Sequence, residues 1–113
     1  MGRLNYVELP VRDVGAARSF YEAAFGWTMT EFGPTYAATL TGDTDVGLQG
    51  DAGEASKAPL PVIDVADLEA TLAAVEQAGG TIVRPIFPFP GGRRFHFLDP
   101  SGNEVAAVKS DPH

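Results

Sequence analysis

The amino-acid sequence predicts an α+β fold made of two similar halves. Two observations lead to this prediction. Strand-like alternation and helix-like apolar spacing follow one another in the order β-α-β-β-β, and the same order then repeats. An offset of 54 residues places Asp13 on Asp67 and Gly26 on Gly80, so that the beginnings and ends of two predicted helices coincide. We therefore expect an internal repeat rather than two chance neighbours.

The repeat divides one predicted domain, 1–113, into two modules. Module one is predicted at 1–50 and module two at 60–113. Residues 51–59 between them are small, polar and without periodicity, which indicates an exposed linker.

The elements of module one follow from its alternation and its helix-ending residues. Residues 4–11 alternate in character and predict a strand, whose odd-numbered residues 7–11 are apolar and are expected to pack under a helix. Asp13 suits the N-cap of that helix, and Gly26 suits the left-handed residue that ends it. Further strands are predicted at 27–32, 36–41 and 46–49. One helical face collects five apolar residues, which are Ala17, Phe20, Tyr21, Ala24 and Phe25.

Module two repeats this pattern with different side chains. Asp67 is the predicted N-cap of its helix and Gly79–Gly80 its stop. The Pro- and Gly-rich residues 87–92 predict a loop, in which Phe87 and Phe89 could cover a flat ligand. Four strands are predicted, at 60–65, 81–86, 93–98 and 104–108.

The composition excludes several classes of function. The 8 Lys and Arg residues face 15 Asp and Glu, a formal net charge of −7, whereas a nucleic-acid surface needs clustered cations. No Cys is present, which excludes disulfides and thiolate sites, and two histidines, His96 and His113, are too few for three imidazole ligands. No apolar run approaches the ~18 residues of a membrane helix. We expect a cytoplasmic protein without nucleic-acid or membrane partners.

Several motifs together resemble the vicinal oxygen chelate superfamily, which includes glyoxalase I, extradiol dioxygenases and bleomycin-resistance proteins. They are Glu8–Asp13 leading into Ala17–Tyr21, the helix stop Phe25–Trp27, Gly79–Val83, and the turn within Phe97–Glu104. The resemblance covers nearly the whole chain. It implies two βαβββ modules that form a cupped, incomplete mixed β-barrel with helices outside, a ligand inside the cup, and a homodimer. It does not specify an activity, because one fold hosts many functions.

The resemblance also implies where a metal would bind. Metal-dependent members hold a divalent ion with four His, Glu or Gln side chains, two from each module. These positions fall on Tyr6, Leu60 and Ala106, and the fourth falls near Gly47, with Gln49 the nearest residue able to coordinate. Leu and Ala cannot coordinate a metal, and neutral Tyr is a poor ligand. We therefore expect no metal ligands and no cofactor.

Alternation along the strands predicts which polar side chains face the ligand. Phe95 and Phe97 make the better core pair, so Arg94 and His96 are expected on the opposite face. Arg94 with Arg84 and Arg93 either binds a carboxylate or phosphate or forms solvated ion pairs. The full set of predicted ligand-binding residues is Tyr6, Glu8, Tyr36, Gln49, Phe87, Arg94 and His96.

These residues lead to three hypotheses for function. The first is a metal-independent protein that binds a small molecule, its expected partner, in the cup. The second is a glyoxalase-like lyase or isomerase with a non-standard metal site or with acid–base chemistry, for which Glu8 and His96 are the weak catalytic candidates. A solvated carboxylate and a polar lining histidine remain the alternatives for those two residues. The third is a non-catalytic module that acts through a protein partner.

Overall fold

The computed structural model describes residues 2–112 of the chain. The chain falls into two compact units. The first unit contains residues 6–60, and the second contains the segment before residue 6 together with the chain from residue 61 onward.

The first unit places one helix on a mixed sheet. Its strand order is β2-β3-β4-β1, in which β1 lies parallel to β4 and the other neighbours are antiparallel. Residues 3–5 of β1 are grouped with the second unit. The bounds are β1 Arg3–Pro10, α1 Val14–Phe25, β2 Thr30–Glu31, β3 Tyr36–Ala38 and β4 Asp45–Gln49.

The second unit repeats this topology. Its strand order is β5-β8-β7-β6, and here too the first strand lies parallel to the last while the other neighbours are antiparallel. The bounds are β5 Leu60–Asp64, α2 Leu68–Gln77, β6 Thr81–Phe89, β7 Gly92–Leu98 and β8 Glu104–Ser110. The predicted α+β class with two βαβββ repeats is confirmed. Within its own unit, each of β2 and β6 has one neighbouring strand among those described.

The predicted helix starts are confirmed in both units. The Asp13 side chain accepts a hydrogen bond from the amide of Ala16 at 3.0 Å, and Asp67 accepts one from the amide of Ala70 at 3.0 Å. At the end of α1, Gly26 adopts the left-handed conformation with φ 71°. At the end of α2, the residue with a positive φ is Gly79, at 102°.

Each helix covers one face of the sheet in its own unit, and each unit has its own hydrophobic core. The apolar face predicted for the first strand is confirmed through Leu9 and Val11, which pack on that core. The first core consists of Met29, Val46 and Leu48, with Leu9, Val11, Ala17 and Tyr21 packed against it. The second consists of Val65, Leu68, Phe95 and Ala107, with Ile63, Leu72, Val75, Ile82, Ile86 and Phe97 packed against it.

The predicted apolar face of α1 is wrong at three positions. Ala24 is exposed, and Phe20 and Phe25 are 60% and 62% exposed. The two phenylalanine rings contact other aromatic rings instead. Phe20 meets Tyr21 edge-on at 5.1 Å, and Phe25 stacks on Trp27 at 5.6 Å.

The predicted loop at 87–92 is also wrong. Strand β6 continues through Phe89, and Phe87 and Phe89 pair with Arg94 and Gly92 of β7. Proline is tolerated here because β6 has only one neighbouring strand among those described, so its outward edge requires no ladder donors. The two phenylalanines are therefore strand residues, which overturns the idea of a loop lid.

Two strands are shorter than predicted. The strand expected at 27–32 is reduced to Thr30–Glu31, and the one expected at 36–41 ends at Ala38. Among residues 2–112, no helix combines the length and the apolar character needed to cross a membrane.

Candidate functional site

The first unit presents polar residues on the sheet face that points away from α1. Val46 and Leu48 of β4 pack in the core, so the alternate residues of β4 face the other way. In the register of the sheet, Tyr6 lies beside Asp45, Glu8 beside Gly47, and Tyr36 beside Gln49. The predicted residues Tyr6, Glu8, Tyr36 and Gln49 therefore share one sheet face.

Three of these four side chains form a hydrogen-bonded cluster, which we call the tyrosine–glutamate cluster: Tyr6, Glu8 and Tyr36. The Tyr36 hydroxyl is hydrogen-bonded to the Tyr6 hydroxyl and donates to Oε1 of Glu8 at 3.3 Å. Glu8 is only 2% exposed. A carboxylate that is buried this deeply requires hydrogen-bond donors, and Tyr36 supplies one.

The conformation of the cluster depends on Gly47 of β4. A Cβ atom at this position would overlap the hydroxyls of both Tyr6 and Tyr36. Glycine therefore leaves the space that the two tyrosine side chains fill. Burial raises the pKa of Tyr36, and the neighbouring Tyr6 and Glu8 raise it further. Tyr36 consequently remains a neutral hydrogen-bond donor at physiological pH.

Gln49 does not join the tyrosine–glutamate cluster. Its side-chain Oε1 accepts a hydrogen bond from the amide of Asp51 at 3.0 Å, at the point where β4 ends. The predicted pocket residue is thus engaged in a local turn.

The second unit also presents a polar sheet face opposite its helix. Phe95 lies in the core, so Arg94 and His96 face away from α2, as predicted. The Nδ1 atom of His96 lies 2.7 Å from Oε2 of Glu104 on β8. The Phe87 ring lies 5.7 Å from the imidazole.

Two arginines flank the same ring. The Arg84 guanidinium lies 3.7 Å from the centre of the Phe87 ring, and that of Arg94 lies 5.4 Å from it. Arg94 also lies 5.4 Å from the centre of the Phe89 ring. Such distances are typical of cation–π contacts, so the two charges are held beside the aromatic rings.

Arg93 forms an ion pair on the helix side instead. Its guanidinium donates to both carboxylate oxygens of Glu69, at 2.8 and 3.2 Å, in an exposed pair. Of the two roles expected for the arginines, Arg93 therefore has that of a solvated ion pair.

His96 is 3% exposed, and its Nε2 atom has no hydrogen-bond partner among residues 2–112. Burial lowers the pKa of His96, the positive charges of Arg94 and Arg84 lower it further, and the contact with Glu104 acts in the opposite direction. The ring is therefore neutral at physiological pH. Because Glu104 is a hydrogen-bond acceptor, the single proton lies on Nδ1 and Nε2 presents a lone pair.

Glu104 was not predicted as the partner of His96. The sequence did contain a signal for this contact. Glu104 and Ala106 are two residues apart and therefore lie on the same face of the last strand, and Ala106 lies beside His96 in the sheet. The carboxylate reaches the imidazole only because β7 and β8 pair in the register that places Leu98 beside Glu104. That register is not evident from either strand alone.

Comparison with known proteins decides the family. A model of the Glyoxalase/Bleomycin resistance protein/Dioxygenase superfamily matches residues 3–107. The chain belongs to this superfamily. The resemblance inferred from the motifs is thereby confirmed.

The chain is also similar to longer proteins. The Mycobacterium tuberculosis protein named "Putative glyoxylase CFP32" is 29% identical over 123 residues, which cover 99% of this chain and 47% of that protein. The anthracycline biosynthesis protein DnrV of Streptomyces peucetius is 32% identical over 114 residues, which cover 96% of this chain and 42% of that protein. The chain therefore spans less than half the length of either relative.

A solved superfamily structure has the same fold. The glyoxalase/bleomycin resistance protein/dioxygenase superfamily member from Vibrio splendidus 12B01 matches with a TM-score of 0.74 and 20% identity, over 97% of this chain and 100% of that chain. This likeness supports the fold assignment alone.

The residues at the metal positions of the superfamily do not fit a metal centre. In the first unit, the Tyr6 hydroxyl is bonded to Tyr36, and Gly47 has no side chain. Leu60 and Ala106 are apolar and buried. Within the described residues, 2–112, no group of three or more His, Cys, Asp or Glu side chains could hold a metal ion.

Proposed function

We propose that this chain is a metal-independent protein that binds a small molecule on the sheet faces opposite its helices. The observation that carries the proposal is the tyrosine–glutamate cluster of Tyr6, Glu8 and Tyr36. Its two hydroxyls occupy the space beside Gly47, where a metal-dependent member would place a ligand side chain. The chain thus has a hydrogen-bonded polar surface in place of a coordination site.

The charge of Glu8 indicates the kind of ligand that the first unit would prefer. A buried carboxylate favours a ligand that brings a positive charge or a hydrogen-bond donor. A cationic or hydroxylated small molecule suits this surface.

A metal titration tests the first half of the proposal. Calorimetry with Mn²⁺, Ni²⁺ and Zn²⁺ should show no stoichiometric binding to the purified protein, and native mass spectrometry should show no retained metal. Binding of one ion per chain that is lost in Tyr6→Phe would overturn metal independence. The same mass spectra report the subunit count, for which we propose a homodimer.

A pair of charge variants tests the second half. Bleomycin is a suitable cationic probe, because resistance to it gives the superfamily part of its name. Glu8→Gln should weaken its binding at least about tenfold, since one charge-assisted hydrogen bond contributes roughly 1.5–3 kcal/mol. Glu76→Gln, on helix α2, is the matched control and should leave the affinity unchanged. Equal affinities in parent and Glu8→Gln would remove Glu8 from the site.

A glyoxalase-like lyase or isomerase is the second candidate. The observation that favours it is the neutral imidazole of His96 held by Glu104, an arrangement suited to general base chemistry. The relative named as a glyoxylase is consistent with it. Turnover of the methylglyoxal–glutathione adduct, with or without added Ni²⁺ or Zn²⁺, would support this candidate. Absence of turnover under all of these conditions would count against it.

A further inference from the structure

The most distinctive polar group of the second unit is the Nε2 atom of His96. It is buried, and no residue among 2–112 forms a hydrogen bond with it. A buried acceptor without a partner costs free energy, because it has lost the hydrogen bonds that it would make with water. Such a cost is offset when a ligand supplies the missing donor.

Glu104 fixes which nitrogen of His96 can receive that donor. The carboxylate lies 2.7 Å from Nδ1, so the proton of the neutral ring stays on Nδ1. Nε2 is then an obligatory acceptor. A ligand atom that meets it must carry a proton, as a hydroxyl or an N–H group does, and an ether or a carbonyl oxygen would be repelled.

The residues around the imidazole further restrict the kind of ligand group that can bind there. Arg84 lies beside His96 in the β6–β7 register, and Arg94 lies two residues before His96 on the same face of β7. Their positive charges favour partial negative charge on a nearby oxygen. Glu104 is the one carboxylate that faces the imidazole from β8. The Phe87 ring adds an aromatic surface on which a planar group can pack.

We propose that the His96–Glu104 pair is a hydrogen-bond acceptor site for an acidic hydroxyl, that is, for the phenol or enol group of a small-molecule ligand. Arg84 and Arg94 polarise that hydroxyl, and the Phe87 ring contacts its planar carbon frame. This inference rests on the proposed function, because it assumes that the chain binds a small molecule. It adds the chemical class of the group that binds in the second unit.

The first test needs no ligand. ¹⁵N NMR of the imidazole distinguishes the two neutral tautomers, and His113→Gln removes the only other histidine signal. The proposal expects the Nδ1–H tautomer for His96 at neutral pH. In Glu104→Gln the amide can donate as well as accept, so signal from the Nε2–H tautomer should appear. An Nε2–H tautomer in the parent protein overturns the proposal.

The second test compares two probes that differ only at the hydroxyl. At about pH 6.5, 4-nitrophenol should bind at least about tenfold more tightly than 4-nitroanisole, in which a methyl group replaces the proton. The preference should disappear in His96→Leu and in His96→Phe, whose side chains contain no acceptor and which serve as alternatives if one of them fails to fold. Glu76→Gln should retain the preference.

The outcomes separate this inference from the function on which it rests. Equal affinity for the two probes in the parent protein overturns the inference, as expected if a trapped water satisfies Nε2, and leaves small-molecule binding intact. Absence of binding for both probes also overturns it. Failure of metal independence would be seen in the metal titration instead, which does not depend on His96.

Discussion

The hydroxyl of Tyr36 donates a hydrogen bond to the carboxylate of Glu8 at 3.3 Å, although the two residues lie on strands that are not neighbours. Strand β4 runs between them. The contact is possible because β4 has Gly47 beside Glu8 in the register, so no side chain blocks the way. A side chain at position 47 and the tyrosine–glutamate cluster exclude each other.

The first prediction concerns this exclusion. Gly47→Ala should destabilise the protein by about 1–3 kcal/mol, because the added methyl group displaces the hydroxyls of Tyr6 and Tyr36. Denaturant unfolding measures the change. Gly15→Ala in helix α1 is the control and should be neutral or slightly stabilising, since alanine favours a helix and its Cβ meets only Asp13 Oδ1, at 3.4 Å. Equal stability of Gly47→Ala and the parent would contradict the packing described for the cluster.

The second prediction uses the raised pKa of Tyr36. Tyr36→Phe should lower the free energy of unfolding by about 1–3 kcal/mol at pH 7, because Glu8 loses a donor. Above the ordinary tyrosine pKa of about 10, the unfolded chain releases the Tyr36 proton and the folded chain keeps it. The stability due to Tyr36 is therefore present below pH 10 and declines above it.

The measurement for this second prediction is urea unfolding at several pH values between 7 and 11. The difference between parent and Tyr36→Phe isolates Tyr36, because the lysines titrate alike in both proteins. The two stability curves should approach each other by up to ~1.4 kcal/mol per pH unit above pH 10. Parallel curves would show that Tyr36 ionises as readily in the folded protein as in the unfolded chain.

Much of the fold followed from local sequence signals. Asp13 and Asp67 were predictable as N-caps because a short side chain that accepts hydrogen bonds, placed just before an apolar helical stripe, is typical of an N-cap. The orientation of Arg94 and His96 was predictable because alternate residues of a strand face opposite sides of the sheet. Once Phe95 is assigned to the core, Arg94 and His96 must face the other side. Both predictions depend only on residues close to one another in the chain.

The features that were missed depend on contacts between distant residues. Phe87 and Phe89 have the prolines of a loop around them, and only the pairing with β7 makes them a strand. Phe20 fits the helical stripe, and only the position of the sheet shows that it is exposed. The role of Glu104 likewise depends on the register between β7 and β8. Tertiary context overrides the local pattern in each case.

The third prediction concerns Asp45 at the start of β4. Its carboxylate accepts four hydrogen bonds, from Thr39 Oγ1 at 2.7 Å, from the amide and hydroxyl of Thr41 at 2.8 Å each, and from the amide of Gly42 at 3.0 Å. Burial works against the charged form, but these hydrogen bonds together outweigh it and lower the pKa of Asp45. The carboxylate thus stabilises the β3–β4 hairpin.

Asp45→Asn should accordingly cost about 1–2 kcal/mol at pH 7, because an amide cannot accept all four donors. Since the folded pKa lies below the unfolded value of 3.8, the contribution of Asp45 is fully present above about pH 4 and is lost as the pH falls below it. Thermal unfolding at pH 7 and at pH 3 tests this. The two proteins should differ clearly at pH 7 and less at pH 3, and a constant difference would show that the charge plays no part.

The fourth prediction concerns the end of helix α1. Gly26 has φ 71°, and apart from its two chain neighbours no residue has an atom within 4 Å of the position that a Cβ would occupy, so the constraint at this residue is conformational rather than steric packing. Gly26→Val should destabilise the protein by about 1–2 kcal/mol, because the left-handed region is unfavourable for a β-branched residue. Gly26→Asn should cost less, since asparagine adopts this conformation more readily. Denaturant unfolding of both variants gives the comparison. Equal losses would indicate that the backbone at residue 26 does not require the left-handed conformation.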